Sequence, residues 1–161
     1  MKKYSIDIKW GFIFIAVTLL WMLLERLLGF HNQHIDKHAI VTNFFFLPAI
    51  AVYIYGLLDK RRNFYDGEMT YLQGLYAGLI ITIVVSIFAP LTQYITSKII
   101  SPDYFTNVIK YSIESGKMTQ IQAEQYFNLK SYITQTTIFT PIMGIATSVV
   151  VAIFTRGKKK G

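Results

Sequence analysis

Four long stretches without a charged residue constrain the fold of this chain more than any other feature. They cover residues 10–24, 39–58, 69–97 and 131–155. A bilayer core is about 30 Å thick and takes about 20 apolar helical residues to cross. The sequence therefore predicts an all-α membrane protein with four transmembrane helices in a single integral membrane domain, residues 1–161. The predicted spans are about 8–28, 39–58, 70–97 and 136–155.

The distribution of Lys and Arg predicts how the chain is inserted. Basic residues on one side of the four spans lie close to span ends: Lys2, Lys3, Lys9, Lys60, Arg61, Arg62, Arg156, Lys158, Lys159 and Lys160. Those on the other side are fewer, and most are spread over one long connection: Arg26, Lys37, Lys98, Lys110, Lys117 and Lys130. Because short cytoplasmic loops carry the excess of positive charge, we expect both termini to be cytoplasmic.

Charge and composition exclude several classes of function. The net charge of +7 comes from residues at the edges of apolar blocks. Nucleic-acid binding is not expected, because no basic face with interleaved aromatic residues occurs. The absence of cysteine excludes disulfides, thiolate metal sites and cysteine nucleophiles. The first apolar block is not followed by a small-residue cleavage site, so we predict a retained signal anchor, with Glu25 and Arg26 as an interfacial anchor at its outer end.

Three histidines follow the first predicted span. His31, His34 and His38 are spaced so that a helix would place all three imidazoles on one face. Imidazole is a common ligand for zinc, copper and nickel. The alternative is a solvated polar turn, because the loop is short and contains Gly29 and Asn32. These three residues are the candidate metal ligands; no catalytic residue and no cofactor is predicted.

Small residues recur at intervals of four in the last two predicted spans. Gly74 and Gly78 form such a pair in the third span, and Thr140, Gly144 and Ser148 form a second stripe in the fourth. Small-xxx-small patterns let two helix backbones approach closely. We predict that Gly74, Gly78, Gly144 and Ser148 mediate contact between these spans. A homodimer through the same residues stays open as an alternative.

The connection before the last span has the pattern of a helical hairpin, here called the hairpin segment (residues 101–135). Ser101, followed by proline and aspartate, has the form of a helix start. Gly116 is typical of a helix end, and Thr119 with Gln122 has the form of a capping box. The sequence therefore predicts two short extracytoplasmic helices joined by a turn.

Apolar residues form a stripe on each predicted helix of the hairpin segment, and each stripe needs a cover. The segment could fold over the bundle, lie on the membrane surface, or bind a partner protein, and these alternatives stay open. The residues predicted to take part in an interaction are Phe105, Tyr111, Tyr126 and Phe127.

The hairpin segment also carries a family resemblance. The residues that carry it are Ser101, Pro102, Asp103, Tyr104, Phe105, Tyr111, Glu114, Ser115, Gly116, Ala123, Tyr126, Phe127, Asn128 and Leu129. With four spans and a helical insertion before the last, the chain resembles a family of small multi-pass membrane proteins from Bacteroidota, known as domain of unknown function 4199. The resemblance implies a location in the bacterial inner (plasma) membrane. It implies no activity and no functional residues.

Two classes of function follow from these features. The favoured hypothesis is a non-enzymatic scaffold or accessory protein whose hairpin segment engages another membrane or periplasmic protein. The alternative is a small transporter or channel, because Pro48, Pro90 and Pro141 fall in the outer halves of their spans and hydroxyls such as Thr82 lie on the third and fourth. An enzyme ranks third, because no nucleophile has an adjacent base. The lipid bilayer is the one partner common to all three readings.

Overall fold

The structure is a computed structural model that describes residues 3–157. The predicted cytoplasmic residues Lys2, Lys158, Lys159 and Lys160 lie outside this range. Between residues 3 and 157 the chain forms helices and no strands, which confirms the all-α prediction. The six helices are α1 (Ser5–Leu27), α2 (Ile35–Asn63), α3 (Tyr71–Ile100), α4 (Tyr104–Glu114), α5 (Gln120–Tyr126) and α6 (Leu129–Thr155).

Four of these helices, α1, α2, α3 and α6, are long and apolar enough to cross a membrane, which confirms that part of the prediction. The shortest has 23 residues, and at about 1.5 Å per residue it exceeds the thickness of a bilayer core. Helix α6 begins at Leu129, earlier than the predicted span start near residue 136. Asn128 explains the early start, because its Oδ1 accepts a hydrogen bond from the backbone N of Ser131 at 2.9 Å.

The chain divides into two compact units. The first contains residues 3–17, 47–88 and 138–157, and the second contains residues 18–46 and 89–137. The core of the first unit is apolar, and Leu57, Ile81 and Ala152 are fully buried in it. The first unit thus holds most of the apolar core, whereas most of the buried imidazole and tyrosine groups described below belong to the second.

Helices α3 and α6 approach closely within the first unit. A Cβ atom built on Gly78 would lie 2.6 Å from Ser148 Oγ, and one built on Gly144 would overlap the side chain of Thr82. Gly74 lies opposite Ala152, at 3.4 Å from its Cβ by the same construction. The small residues are therefore placed where the two backbones are nearest, which is the geometry that small-xxx-small patterns permit.

The first unit also buries an ion pair. Lys60 Nζ donates to Asp7 Oδ2 at 2.7 Å and to the carbonyl oxygen of Lys3. The side chains of Lys60 and Asp7 are only 3% and 1% exposed. Lys60 therefore differs from the solvated loop residue that its basic neighbours in the sequence suggest. A second pair, Lys9 with Asp59 at 2.5 Å, is partly exposed.

The hairpin segment belongs to the second unit. Helix α4 is followed by Gly116 at φ +68°, a conformation that favours glycine. Helix α5 begins with a capping box, in which Thr119 Oγ1 accepts from the backbone N of Gln122 and Gln122 Oε1 accepts from that of Thr119. Helix α4 itself begins at Tyr104, and Ser101 does not cap it. The Ser101 hydroxyl instead lies against His31.

Candidate functional site

The second unit contains a buried polar cluster that combines residues from two helices and the loop between them, here called the Glu25 cluster (Glu25, His31 and His38). One ligand-type atom from each residue lies within 4.8 Å of the other two. The side chains of Glu25 and His31 are buried, at 1% and 5% exposure, and that of His38 is mostly buried, at 16%. Burying a carboxylate is costly unless charges or hydrogen bonds compensate for it, so the partners of Glu25 decide what the cluster can do.

A tight turn after α1 brings these residues together. Glu25 lies in the last turn of α1, and Gly29 follows with φ +82°, which only glycine adopts readily. The backbone N of Phe30 donates to the carbonyl oxygen of Glu25 at 2.9 Å, so the chain reverses at once. His31 is thereby placed beside Glu25, and His38 reaches the same point from the first turns of α2.

Both imidazoles direct the same ring nitrogen at one carboxylate oxygen. His31 Nε2 lies 3.1 Å from Glu25 Oε2, and His38 Nε2 lies 3.4 Å from it. The other oxygen, Oε1, accepts a hydrogen bond from Trp21 Nε1 at 2.6 Å. The carboxylate is therefore fixed on one side by an indole and shared on the other by two histidines.

The second nitrogen of each imidazole faces a hydroxyl. His31 Nδ1 lies 2.5 Å from Ser101 Oγ, and His38 Nδ1 lies 3.3 Å from the Tyr104 hydroxyl. Burial, with added effects from Tyr132 and Glu25, raises the pKa of Tyr104, so this hydroxyl keeps its proton at neutral pH. A hydroxyl can donate or accept. The two hydroxyls therefore suit either tautomer of the histidines.

The hairpin segment holds the loop that carries His31. Asn107 Nδ2, on α4, donates to the carbonyl oxygen of His31 at 3.0 Å. Arg26 donates to the carbonyl oxygen of Ile100, which immediately precedes the hairpin segment. Ser101 and Tyr104 add the two contacts already described. The Glu25 cluster and the start of the hairpin segment thus form one hydrogen-bonded assembly inside the second unit.

The third candidate ligand lies elsewhere. His34 is exposed, and its ring packs at 6.2 Å from that of Phe30. Glu25, which the sequence had suggested as an interfacial anchor, takes its place beside His31 and His38. A signal for this exchange exists in the sequence, because Gly29 near the end of an apolar helix indicates a chain reversal rather than a continued helix.

The predicted interaction residues divide into packed and exposed side chains. Phe105 and Phe127 pack against Tyr132, with ring centroids 5.1 and 6.3 Å apart. Tyr111 is half-buried, and its hydroxyl accepts a hydrogen bond from Lys117 at 2.9 Å. Tyr126 remains 46% exposed. Much of the predicted interaction set therefore serves the packing of the second unit itself.

A family model described as "Protein of unknown function (DUF4199)" matches residues 9–157. No curated protein and no solved structure matches the chain.

Proposed function

The chain belongs to the DUF4199 family, as its resemblance predicted. Because the function of that family is unknown, we propose a function from the surface of the molecule itself. The protein is a non-enzymatic accessory or scaffold protein of the bacterial inner membrane. Helices α1, α2, α3 and α6 cross the bilayer with both termini cytoplasmic, and the hairpin segment binds another membrane or periplasmic protein on the outer side.

One observation carries this proposal: the hairpin segment exposes large apolar side chains outside the four long helices. Ile113, Ile121 and Tyr126 are 38%, 69% and 46% exposed. Most other exposed large apolar residues lie in the long helices, where lipid would cover them. Outside the bilayer core these side chains need another cover, either the membrane surface or a protein, and apolar and aromatic side chains are what protein interfaces bury.

The charge of the hairpin segment favours a protein over a membrane surface as this cover. Helices that lie in the membrane interface are rich in Lys and Arg on their polar face. Helix α5 has no basic residue and one acidic residue, Glu124. Helix α4 has one basic residue, Lys110, and one acidic residue, Glu114. Attraction to anionic lipid headgroups would therefore be weak.

A photoreactive residue placed at Ile121 tests the proposal in native membranes. We expect irradiation to produce one discrete protein adduct, and the same adduct from Tyr126, because both positions would lie in one interface. The same probe at Ile83 on α3 is the matched control, because that side chain is similarly exposed, at 56%, but lies in a long apolar helix. Adducts of lipid or of the chain itself at all three positions would contradict the proposal.

A small transporter or channel is the second candidate, supported by hydroxyls from α2, α3 and α6 that meet. The hydroxyl of Tyr53 on α2 lies 2.8 Å from Thr82 Oγ1 on α3, which lies 3.4 Å from Ser148 Oγ on α6. Thr82 and Pro141 line one shallow cavity. Two of these hydroxyls are already engaged, however. Thr82 donates to the carbonyl oxygen of Gly78 at 2.9 Å, and Ser148 donates to that of Gly144 at 2.7 Å. Such back-bonding is typical of packed membrane helices.

Reconstitution separates the two candidates. We expect vesicles that contain the purified protein to show no solute flux above empty liposomes, because the hydroxyls serve helix packing. Flux above that level, reduced by Thr82→Ala or Ser148→Ala but not by Thr147→Ala, would favour the transporter. Thr147 is a suitable control because it is only partly buried and also donates to its own helix, at 2.8 Å from Met143 O.

A further inference from the structure

We propose that the Glu25 cluster is a binding site for one divalent transition-metal ion of the zinc class (Zn²⁺, Co²⁺ or Ni²⁺). This inference rests on the cluster alone and is independent of the proposed accessory function. It assigns Glu25 Oε2, His31 Nε2 and His38 Nε2 as the three protein ligands.

The spacing of the three atoms fits such an ion. Zinc binds imidazole nitrogen and carboxylate oxygen at about 2.0–2.2 Å in tetrahedral geometry, so ligand atoms lie about 3.3–3.5 Å apart. The two nitrogen–oxygen distances are 3.1 and 3.4 Å, and one ligand-type atom from each residue lies within 4.8 Å of the other two. A shift of about an ångström in one imidazole would complete the geometry. Two histidines with one glutamate are also an established zinc-binding set.

The surroundings of the ligands support the same assignment. Metal-binding histidines typically donate their other ring N–H to a neighbouring acceptor, which fixes the ring. Here Ser101 Oγ and the Tyr104 hydroxyl occupy those positions beside His31 and His38. Trp21 holds the remaining oxygen of Glu25. Each of the three ligand side chains therefore has a hydrogen-bond partner that orients it, and its ligand atom points toward those of the other two.

The donor set selects among metal ions. Mg²⁺ and Ca²⁺ prefer six or more oxygen ligands, whereas two of the three donors here are imidazole nitrogens. Soft ions such as Cu(I) prefer thiolates, and the chain has no cysteine. Tyr104 packs on both imidazole rings, at 5.3 and 5.0 Å between centroids, so the wall of the site is aromatic. Three protein ligands leave a fourth position for water or another small ligand.

Metal content of the full-length chain tests the inference directly. The protein is purified in detergent with a tag that contains no histidine, stripped with a chelator, and dialysed against Zn²⁺. We expect about one zinc per chain for the wild type, and at least a tenfold loss of affinity for His38→Gln and for Glu25→Gln. His34→Gln is the matched control, because it removes an exposed histidine from the same loop, and we expect its affinity to equal that of the wild type.

Two further measurements keep the test decisive if a ligand variant fails to fold. Co²⁺ bound to the wild type is expected to give a visible absorption spectrum typical of four or five nitrogen and oxygen ligands. Ser101→Ala keeps all three ligands but removes the partner of His31 Nδ1, and we expect it to weaken zinc binding about tenfold. Zinc at background level in the wild type, or equal losses in His34→Gln and His38→Gln, would overturn the inference and leave a metal-free hydrogen-bonded network.

Discussion

Replacing Lys60 by Met is expected to lower the free energy of unfolding by about 3–5 kcal/mol, because the substitution leaves the Asp7 carboxylate buried without its counter-charge. The two side chains are almost fully buried and joined at 2.7 Å. Among the described residues, Asp7 Oδ1 has no hydrogen-bond partner, so Lys60 provides most of the compensation that this carboxylate receives. Reversible unfolding of the full chain in mixed detergent micelles measures the loss.

Two further variants separate charge from packing. Lys9→Met breaks the partly exposed pair with Asp59, in which the lysine side chain is 53% exposed, and is expected to cost at most about 1 kcal/mol. Asp7→Asn combined with Lys60→Met leaves no charge at the buried position, so we expect it to recover most of the stability that Lys60→Met loses. Equal losses for Lys60→Met and Lys9→Met would show that burial of the Lys60–Asp7 pair does not increase its effect on the free energy of unfolding.

The sequence predicted the long helices because their cause is local. A charge-free stretch of sufficient length predicts an apolar helix whatever its neighbours do, and α1, α2, α3 and α6 agree with it. The capping box at Thr119 and the turn at Gly116 are also local signals, and both are present. The start of α4 was less predictable, because Ser101 bonds to His31, seventy positions earlier in the chain, instead of to its own helix.

The candidate site could be predicted only in part, because it depends on a chain reversal. A helix would place His31, His34 and His38 on one face, and a polar turn was the alternative; the loop turns at Gly29 before α2 begins at Ile35. Helical spacing therefore does not apply across the loop, and His34 is exposed. Glu25 joins the site through that same reversal, and periodicity in the sequence does not encode it.

The burial of Lys60 could not be predicted from the sequence for a different reason. Three consecutive basic residues at the end of an apolar stretch are typical of a solvated cytoplasmic loop. Helix α2 instead continues to Asn63, so Lys60 lies in its last turns and meets Asp7 of α1, fifty-three positions earlier. Only the packing of two helices reveals which of several similar basic residues is buried.

Replacing Gly78 or Gly144 by Ala is expected to lower the free energy of unfolding by about 1–3 kcal/mol each, because an added methyl group would force α3 and α6 apart. The new Cβ at Gly78 would lie 2.6 Å from Ser148 Oγ and 2.8 Å from Ser148 Cβ, and the one at Gly144 would overlap Thr82. Reversible unfolding of the full chain in mixed detergent micelles, as for Lys60→Met, measures the effect.

Gly74→Ala is the control that shows whether close backbone approach is the cause. The nearest atom to a Cβ there is the terminal methyl of Met69 at 3.2 Å, which can move, and Ala152 Cβ follows at 3.4 Å. Because alanine also favours a helix over glycine by up to about 1 kcal/mol, we expect this variant to be neutral or slightly stabilised.

Ser148→Gly should restore the stability of Gly78→Ala by removing the opposing side chain. A Gly78→Ala variant as stable as the wild type would mean that α3 and α6 do not approach as closely as their small residues allow.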